Sequence, residues 1–289
     1  MEANKIAKNA KSIVLDNGIE LTYCELGEEN NEVMVSGAFY FHTLMPVLEG
    51  LAKRFHVYGV VMRFDGPTTQ HNKDGTVNWS RQWGDDVYQF TKALGIKKFH
   101  YIGKCHGINP GWFLIKEHPE VLDTFCSFFL APHLCKQNSN QWFDLKKEGP
   151  ISLLSRAMKK QELIPIKLEE LNTLGSDKMS TPGIEEYVAA PEKIWDSIEE
   201  CEETLKNVTT PVCLMFGTDD ILFLDHFDSN IKALMTIQGC KCIILQGERH
   251  LMEIDCPDRV VSEACFFIDE SRKNYTHNLG TVGPFSDIR

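Results

Sequence analysis

Between an apolar run, Phe99 to Ile102, and a stretch with helical spacing lies Gly103-Lys104-Cys105-His106-Gly107. Glycine two positions before and two positions after a reactive side chain has a steric cause. A chain that turns from strand to helix at one residue strains that residue's backbone, and the flanking positions must then lack bulk. The pattern therefore demands a strand entering, a helix leaving, and a central side chain held clear of both. Here that side chain is a thiol. A cysteine at the end of a strand can also pack as a small buried hydrophobe, so the rest of the chain has to decide between the two.

Composition narrows the class. The chain has 289 residues, 43% of them hydrophobic, enough for one large domain or one domain with an insertion. No run of about 18 uncharged apolar residues occurs, so no transmembrane helix is expected. The start, Met1-Glu2-Ala3-Asn4-Lys5, leads into polar sequence without an apolar core, so no secretory signal is expected. With 41 acidic and 30 basic residues the net charge is −11. That argues against nucleic acid and membrane as partners and leaves a small-molecule substrate, with homodimerisation left open. Of the ten cysteines, Cys126, Cys213, Cys242 and Cys265 sit in apolar runs. Cys240 and Cys242 have the wrong spacing for a C-x-x-C redox or zinc motif. A reducing, cytoplasmic compartment is expected, and no motif implies a metal or an organic cofactor.

Short strand-like runs alternate with helical ones. Ser12–Leu15 and Glu20–Glu25 flank Asp16-Asn17-Gly18, a hairpin signal. Strands are predicted at Val33–Val35, His56–Met62, Phe99–Ile102, Thr124–Leu130, Val212–Phe216 and Cys242–Leu245. Helices are predicted at Thr43–Arg54, Trp79–Leu94, Phe227–Met235 and Pro257–Glu270. Such alternation implies βαβ units and a mostly parallel sheet. It stops near His133. From there to Val208 the chain is charged, helical in pattern and punctuated by Pro150, Pro165, Pro182 and Pro191. The expected organisation is a core over residues 1–132, a helical cap inserted at 133–208, the rest of the core at 209–272, and a polar tail at 273–289.

Over roughly residues 10 to 272 these pieces resemble the α/β-hydrolase superfamily. Gly103-Lys104-Cys105-His106-Gly107 resembles its nucleophile elbow, with Cys in place of the usual Ser. Val33 to Gly37 resembles the strand ending in the family's oxyanion turn, with Ser36 where His is usual. Arg63 with Gly66 resembles the loop after the next strand, and His118-Pro119-Glu120 the end of the helix after the elbow. Phe216-Gly217-Thr218-Asp219-Asp220 resembles the turn of the catalytic acid, and Gly247-Glu248-Arg249-His250 that of the catalytic histidine. A narrower similarity, in Cys105-His106-Gly107, His42 and Ile254 to Arg259, is to the cofactor-independent 2,4-dioxygenases of this fold. Those enzymes carry Ser at the elbow and take their acid from the next strand. Here that strand ends Phe128-Phe129-Leu130-Ala131, with no carboxylate. Dienelactone hydrolases also use Cys on this fold, but the similarity is confined to the elbow.

The resemblance implies an eight-stranded sheet and a triad of Cys105, His250 and Asp220, with Asp219 as the alternative acid. His250 takes the thiol proton, the acid orients the imidazole, and the N–H groups of Ala38 and His106 form the oxyanion hole. Cys105 is expected at a helix N-terminus, where the dipole favours a thiolate, with Lys104 adding positive charge. His106 is expected to matter through its N–H more than through its ring. Phe39, His42, Lys104 and Trp142 are expected to line the substrate pocket. The expected activity is hydrolysis of a small apolar or aromatic ester, lactone or activated ketone through a covalent acyl-enzyme. Three alternatives stand beside it: cofactor-free oxygenation by a His-Asp base, a lyase or condensing reaction, and non-catalytic ligand binding.

Overall fold

The computed structural model describes residues 10–38, 41–128, 194–220 and 223–273. Most of the expected cap, and the expected tail beyond residue 273, lie outside them.

Eight strands form one sheet: β1 Lys11–Val14, β2 Glu20–Leu26, β3 Val33–Ala38, β4 His56–Val61, β5 Phe99–Lys104, β6 Leu122–Phe128, β7 Val212–Gly217 and β8 Lys241–Leu245. Their order is β1-β2-β4-β3-β5-β6-β7-β8. The first two pairings, β1 with β2 and β2 with β4, are antiparallel, and the rest are parallel. The opening hairpin forms where the Asn-Gly signal stands. Leu15 N–H donates to the Ile19 carbonyl at 2.8 Å, and Gly18 N–H to that of Leu15 at 2.9 Å. Gly18 supplies the left-handed residue, φ +80°.

The described helices are α1 Phe41–Leu51, α2 Trp79–Ala93, α3 Asn109–Glu117, α4 Ile198–Lys206, α5 Phe223–Thr236, α6 Met252–Asp255 and α7 Pro257–Arg272. Side-chain caps start two of them: Asn78 accepts Arg81 N–H at 3.1 Å, and Ser197 accepts Glu200 N–H at 3.1 Å. Proline opens α7 and stands second in α3, early positions where a missing N–H leaves no intrahelical bond unmade.

Two cores cover the two faces of the sheet, because successive strand side chains point to opposite sides. On β5, Tyr101 joins Phe90, Trp112, Phe125 and Leu214 under α2 and α3. Its neighbour Ile102 joins Leu48, Phe128, Met215 and Phe267 under α1 and α7. The chain re-enters the described region at Ile194 and Trp195, both buried, and Trp195 lies 6.1 Å ring to ring from Trp112. Arg81 holds this re-entry, donating to the Ile194 carbonyl at 2.9 Å and to Asp196 at 2.7 Å.

Two boundaries differ from expectation near the site. β6 begins at Leu122, because Pro119–Val121 form a tight 3₁₀ turn that delivers the chain directly into the ladder. The helix after the elbow begins at Asn109, since Cys105–Ile108 form a 3₁₀ turn first. The nine described cysteines are free thiols. Among the described residues no helix is long and apolar enough to cross a membrane.

Candidate active site

Cys105 is the one described residue other than glycine in the left-handed region, φ 51°. The flanking glycines permit it. A Cβ on Gly103 would stand 2.3 Å from the Gly107 carbonyl oxygen, and one on Gly107 would stand 2.2 Å from that of Gly37. Any side chain at either position would force the turn open. The sharp turn leaves Cys105 half-buried at the C-terminal end of β5, beside the end of β3.

The ends of β7 and β8 bring two further groups together. A Cβ on Gly217 would meet the Glu248 carbonyl oxygen at 2.1 Å, so the turn after β7 lies directly against the turn after β8. Three hydrogen bonds stitch the turns. Thr218 N–H donates to the Leu245 carbonyl at 3.0 Å, Asp219 N–H to the Glu248 carbonyl at 3.0 Å, and Gly247 N–H to Thr218 Oγ1 at 2.9 Å. Arg249 adds a two-pronged bond to Asp255, at 3.0 and 2.7 Å, which steadies the loop before α6. On this frame His250 Nδ1 meets Asp220 Oδ2 at 3.0 Å, both side chains being buried. The two candidate acids are thereby separated. Asp220 faces the imidazole, whereas Asp219 accepts from Thr218 Oγ1 at 3.1 Å in an exposed position.

With Nδ1 engaged by Asp220, Nε2 is the nitrogen left for the Cys105 thiol, with which His250 also interacts. Burial alone would raise the Cys105 pKa. The charge and hydrogen bonding of His106, then of His250, outweigh it and hold the thiol well below the ordinary cysteine range. Burial alone would lower the His250 pKa. The Asp220 carboxylate, then Cys105, outweigh it and bring His250 up to about 10. Together these shifts favour the charged forms of both groups, thiolate and imidazolium, over the neutral pair.

Three expectations need correction. The His106 ring acts on the thiol, so its role is not confined to its backbone N–H. Cys105 opens a 3₁₀ turn rather than an α-helix, because the strained elbow takes one tighter turn before regular helix can start. Lys104 is already engaged, since its ammonium binds the Glu253 carboxylate, one of the most deeply buried acids. A buried carboxylate needs a cation, and Lys104 serves that need rather than standing free beside the thiol. Burial pushes the Glu253 pKa up, and Lys104 opposes the rise.

Ala38 ends β3 opposite Val61, and its carbonyl accepts Met62 N–H at 3.1 Å. Phe39 and Trp142, and the side chain of His42, lie outside the described residues. Arg63 is tied to Asp86 by two bonds of 2.7 and 2.9 Å, and its carbonyl accepts from Trp83 Nε1 at 2.7 Å, fixing the loop after β4 on α2. Two residues near the elbow were not foreseen as such: Glu253, which no short motif marks, and Tyr101, which reads as an ordinary core position of an apolar strand. Among the described residues no group of three or more His, Cys, Asp or Glu side chains could hold a metal ion.

Sheet order, elbow and the two stitched turns define the α/β-hydrolase fold. Solved structures share it. A membrane phospholipase A, described as a bacterial virulence factor, aligns with a TM-score of 0.69 at 17% identity, over 91% of this chain and 86% of its own. A meta-cleavage product hydrolase from Pseudomonas fluorescens IP01 aligns at 0.68 and 17% identity, over 92% and 99%. The enol-lactonase from Burkholderia xenovorans LB400 aligns at 0.66 and 18% identity, over 90% and 100%. No protein-family model matches the sequence, and neither does any curated protein.

Proposed function

We propose that this protein is a hydrolase that uses Cys105, His250 and Asp220 on a small apolar or aromatic ester, lactone or activated ketone. The observation that carries the reading is the site's electrostatics at a strained elbow: a thiol held toward the thiolate by His106 and then by His250, which is itself anchored at 3.0 Å to a buried carboxylate. Cys105 sulfur attacks the carbonyl carbon, and an S–C bond forms as the carbonyl electrons move to oxygen. Backbone N–H groups at the elbow and at the end of β3 receive that charge. The C–O bond of the ester breaks, and the His250 imidazolium gives its proton to the departing oxygen. His250 then takes a proton from water, the hydroxide cleaves the thioester, and the thiolate returns. Amides are poor targets, because the thiolate leaves the tetrahedral intermediate more readily than an amine.

The fold neighbours include an enol-lactonase and a meta-cleavage product hydrolase, names that fit activated carbonyl substrates. The place of the acid also favours hydrolysis over the oxygenase alternative. It comes from the turn after β7, while β6 ends Ser127-Phe128 and the sequence beyond it carries no carboxylate before His133. The deciding experiment is incubation with p-nitrophenyl acetate followed by intact mass and peptide mapping. An acetyl adduct on Cys105, absent in Cys105→Ala and slowed in His250→Ala, is the expected result. Adducts spread over several cysteines, or none, would refute the reading. Oxygen uptake with a hydroxyquinolone that survives Cys105→Ala would put the oxygenase in its place.

A further inference from the structure

The hydroxyl of Tyr101 sits beneath the elbow with two partners. It accepts the Gly37 N–H at 3.1 Å and donates to the Gly107 carbonyl at 2.6 Å. Gly37 immediately precedes Ala38, and Gly107 immediately follows His106, the two residues whose N–H groups were assigned to the oxyanion hole. One buried side chain thus bonds the peptide group next to that of the Ala38 N–H and, on the other turn, the peptide group two units beyond that of the His106 N–H. The same two turns also touch directly, since the Gly37 carbonyl oxygen leaves no room for a Cβ on Gly107. Tyr101 is fully buried, and its ring packs at 5.9 Å against Phe125, so the hydroxyl cannot swing away. Burial pushes its phenol above the ordinary tyrosine range, so it stays protonated and able to donate.

We propose that Tyr101 is a positioning residue for acyl transfer: its hydroxyl sets the spacing and tilt of the β3 end against the elbow turn. The inference rests on the hydrolase reading above. An oxyanion hole works only if its donors are already aimed where negative charge develops. Two donors from separate loops need something that fixes one loop against the other, and backbone contact alone lets them slide. A hydroxyl with a donor and an acceptor role, each directed at one loop, removes that freedom. Tyr101→Phe keeps the ring and leaves a buried N–H and a buried carbonyl unpaired. The loops are then free to relax apart while Cys105 and His250 keep their places.

The prediction separates positioning from mere support, because alkylation of a thiolate develops no oxyanion and acylation does. In Tyr101→Phe, the rate constant for acylation of Cys105 by p-nitrophenyl acetate should fall about 10- to 100-fold. KM should stay within about threefold, and the iodoacetamide rate at Cys105 within about twofold. Acylation within about threefold of the parent would overturn the proposal. So would a parallel loss of acylation and alkylation, which marks general damage. If Tyr101→Phe does not fold, para-aminophenylalanine at position 101 replaces it. That side chain keeps a donor toward Gly107 but accepts poorly from Gly37, so acylation should still fall while alkylation holds, and unchanged acylation would count against the proposal. If the parent protein itself forms no acyl adduct, the hydrolase reading fails and this one falls with it, an outcome distinct from an adduct that forms equally well in both proteins.

Discussion

Cys105 gathers its electrostatic character from two imidazoles and not from the lysine beside it in sequence. His106 is the largest opposing influence to burial, His250 the next, and Lys104 is occupied by Glu253. A thiol whose pKa is lowered in the folded protein is a thiolate above that value and loses reactivity only as pH falls through it. Iodoacetamide labelling of Cys105 should therefore fall less steeply from pH 8 to pH 6 than that of an ordinary cysteine, which slows about tenfold per unit. His106→Asn and His250→Ala should each restore the steep slope and slow labelling at pH 6 about tenfold or more, while Lys104→Met should do so much less. A slope in the parent protein like that of a free thiol would remove the thiolate from the account. Much of this residue-scale picture was open to reading from sequence: the elbow, the histidine and the two candidate aspartates all stand in short local motifs. What was hidden depends on contacts distant in sequence or on side-chain direction. Glu253 is 149 positions from Lys104, and nothing in a strained turn's sequence says which way the His106 ring points.

At the scale of elements, strand and helix positions were largely legible because hydrophobic period and turn residues agree along most of the chain. The predicted helix Trp79–Leu94 is observed as Trp79–Ala93, capped by Asn78. Boundaries slipped where a 3₁₀ turn joins two elements, since such turns leave no periodic signal. The close fit of the β7 and β8 turns was also invisible, because it depends on a glycine whose missing Cβ matters only in three dimensions. Gly217→Ala should drive the two turns apart and pull Asp220 from His250. We expect a stability loss of about 2–4 kcal/mol by urea unfolding, together with a rise in the Cys105 pKa measured by alkylation. Gly239→Ala, with a left-handed backbone and nothing within 4 Å of the added carbon, should cost only about 1 kcal/mol and leave the Cys105 pKa alone. Equal effects from the two substitutions would show that the two turns yield to the added carbon and that their contact does not hold Asp220 against His250.

For the whole molecule, one sheet with a core on each face gathers the candidate site's described turns at one end. β3 and β5 end at the two proposed donor turns, and β7 and β8 end at the acid and histidine turns. The predicted insertion, residues 133–208, falls between β6 and β7 and takes in α4, and Trp195 and Arg81 hold its described end against the core. That site rests on a backbone the fold must hold against its own preference. A non-glycine residue in the left-handed region costs about 1–3 kcal/mol, a large share of a net stability of about 5–15 kcal/mol. Comparing two inert variants isolates this cost. In ordinary backbone alanine is the more stabilising residue by about 0.5–1 kcal/mol. At position 105 the order should invert, with Cys105→Gly more stable than Cys105→Ala by about 1 kcal/mol in urea unfolding. If alanine is the more stable, Cys105 carries no such strain.

The φ of 51° at Cys105 also bears on how lineages of such a chain would change. On the proposed mechanism, selection for chemistry would hold a thiol at the elbow, while selection for durability would pull the same position toward glycine or asparagine, which tolerate that backbone. The two pressures cannot both be met there. In a descendant relieved of its reaction, position 105 is where the first favourable substitution would arise, so a glycine or asparagine at that elbow is the mark of a protein that has kept the fold and given up the catalysis.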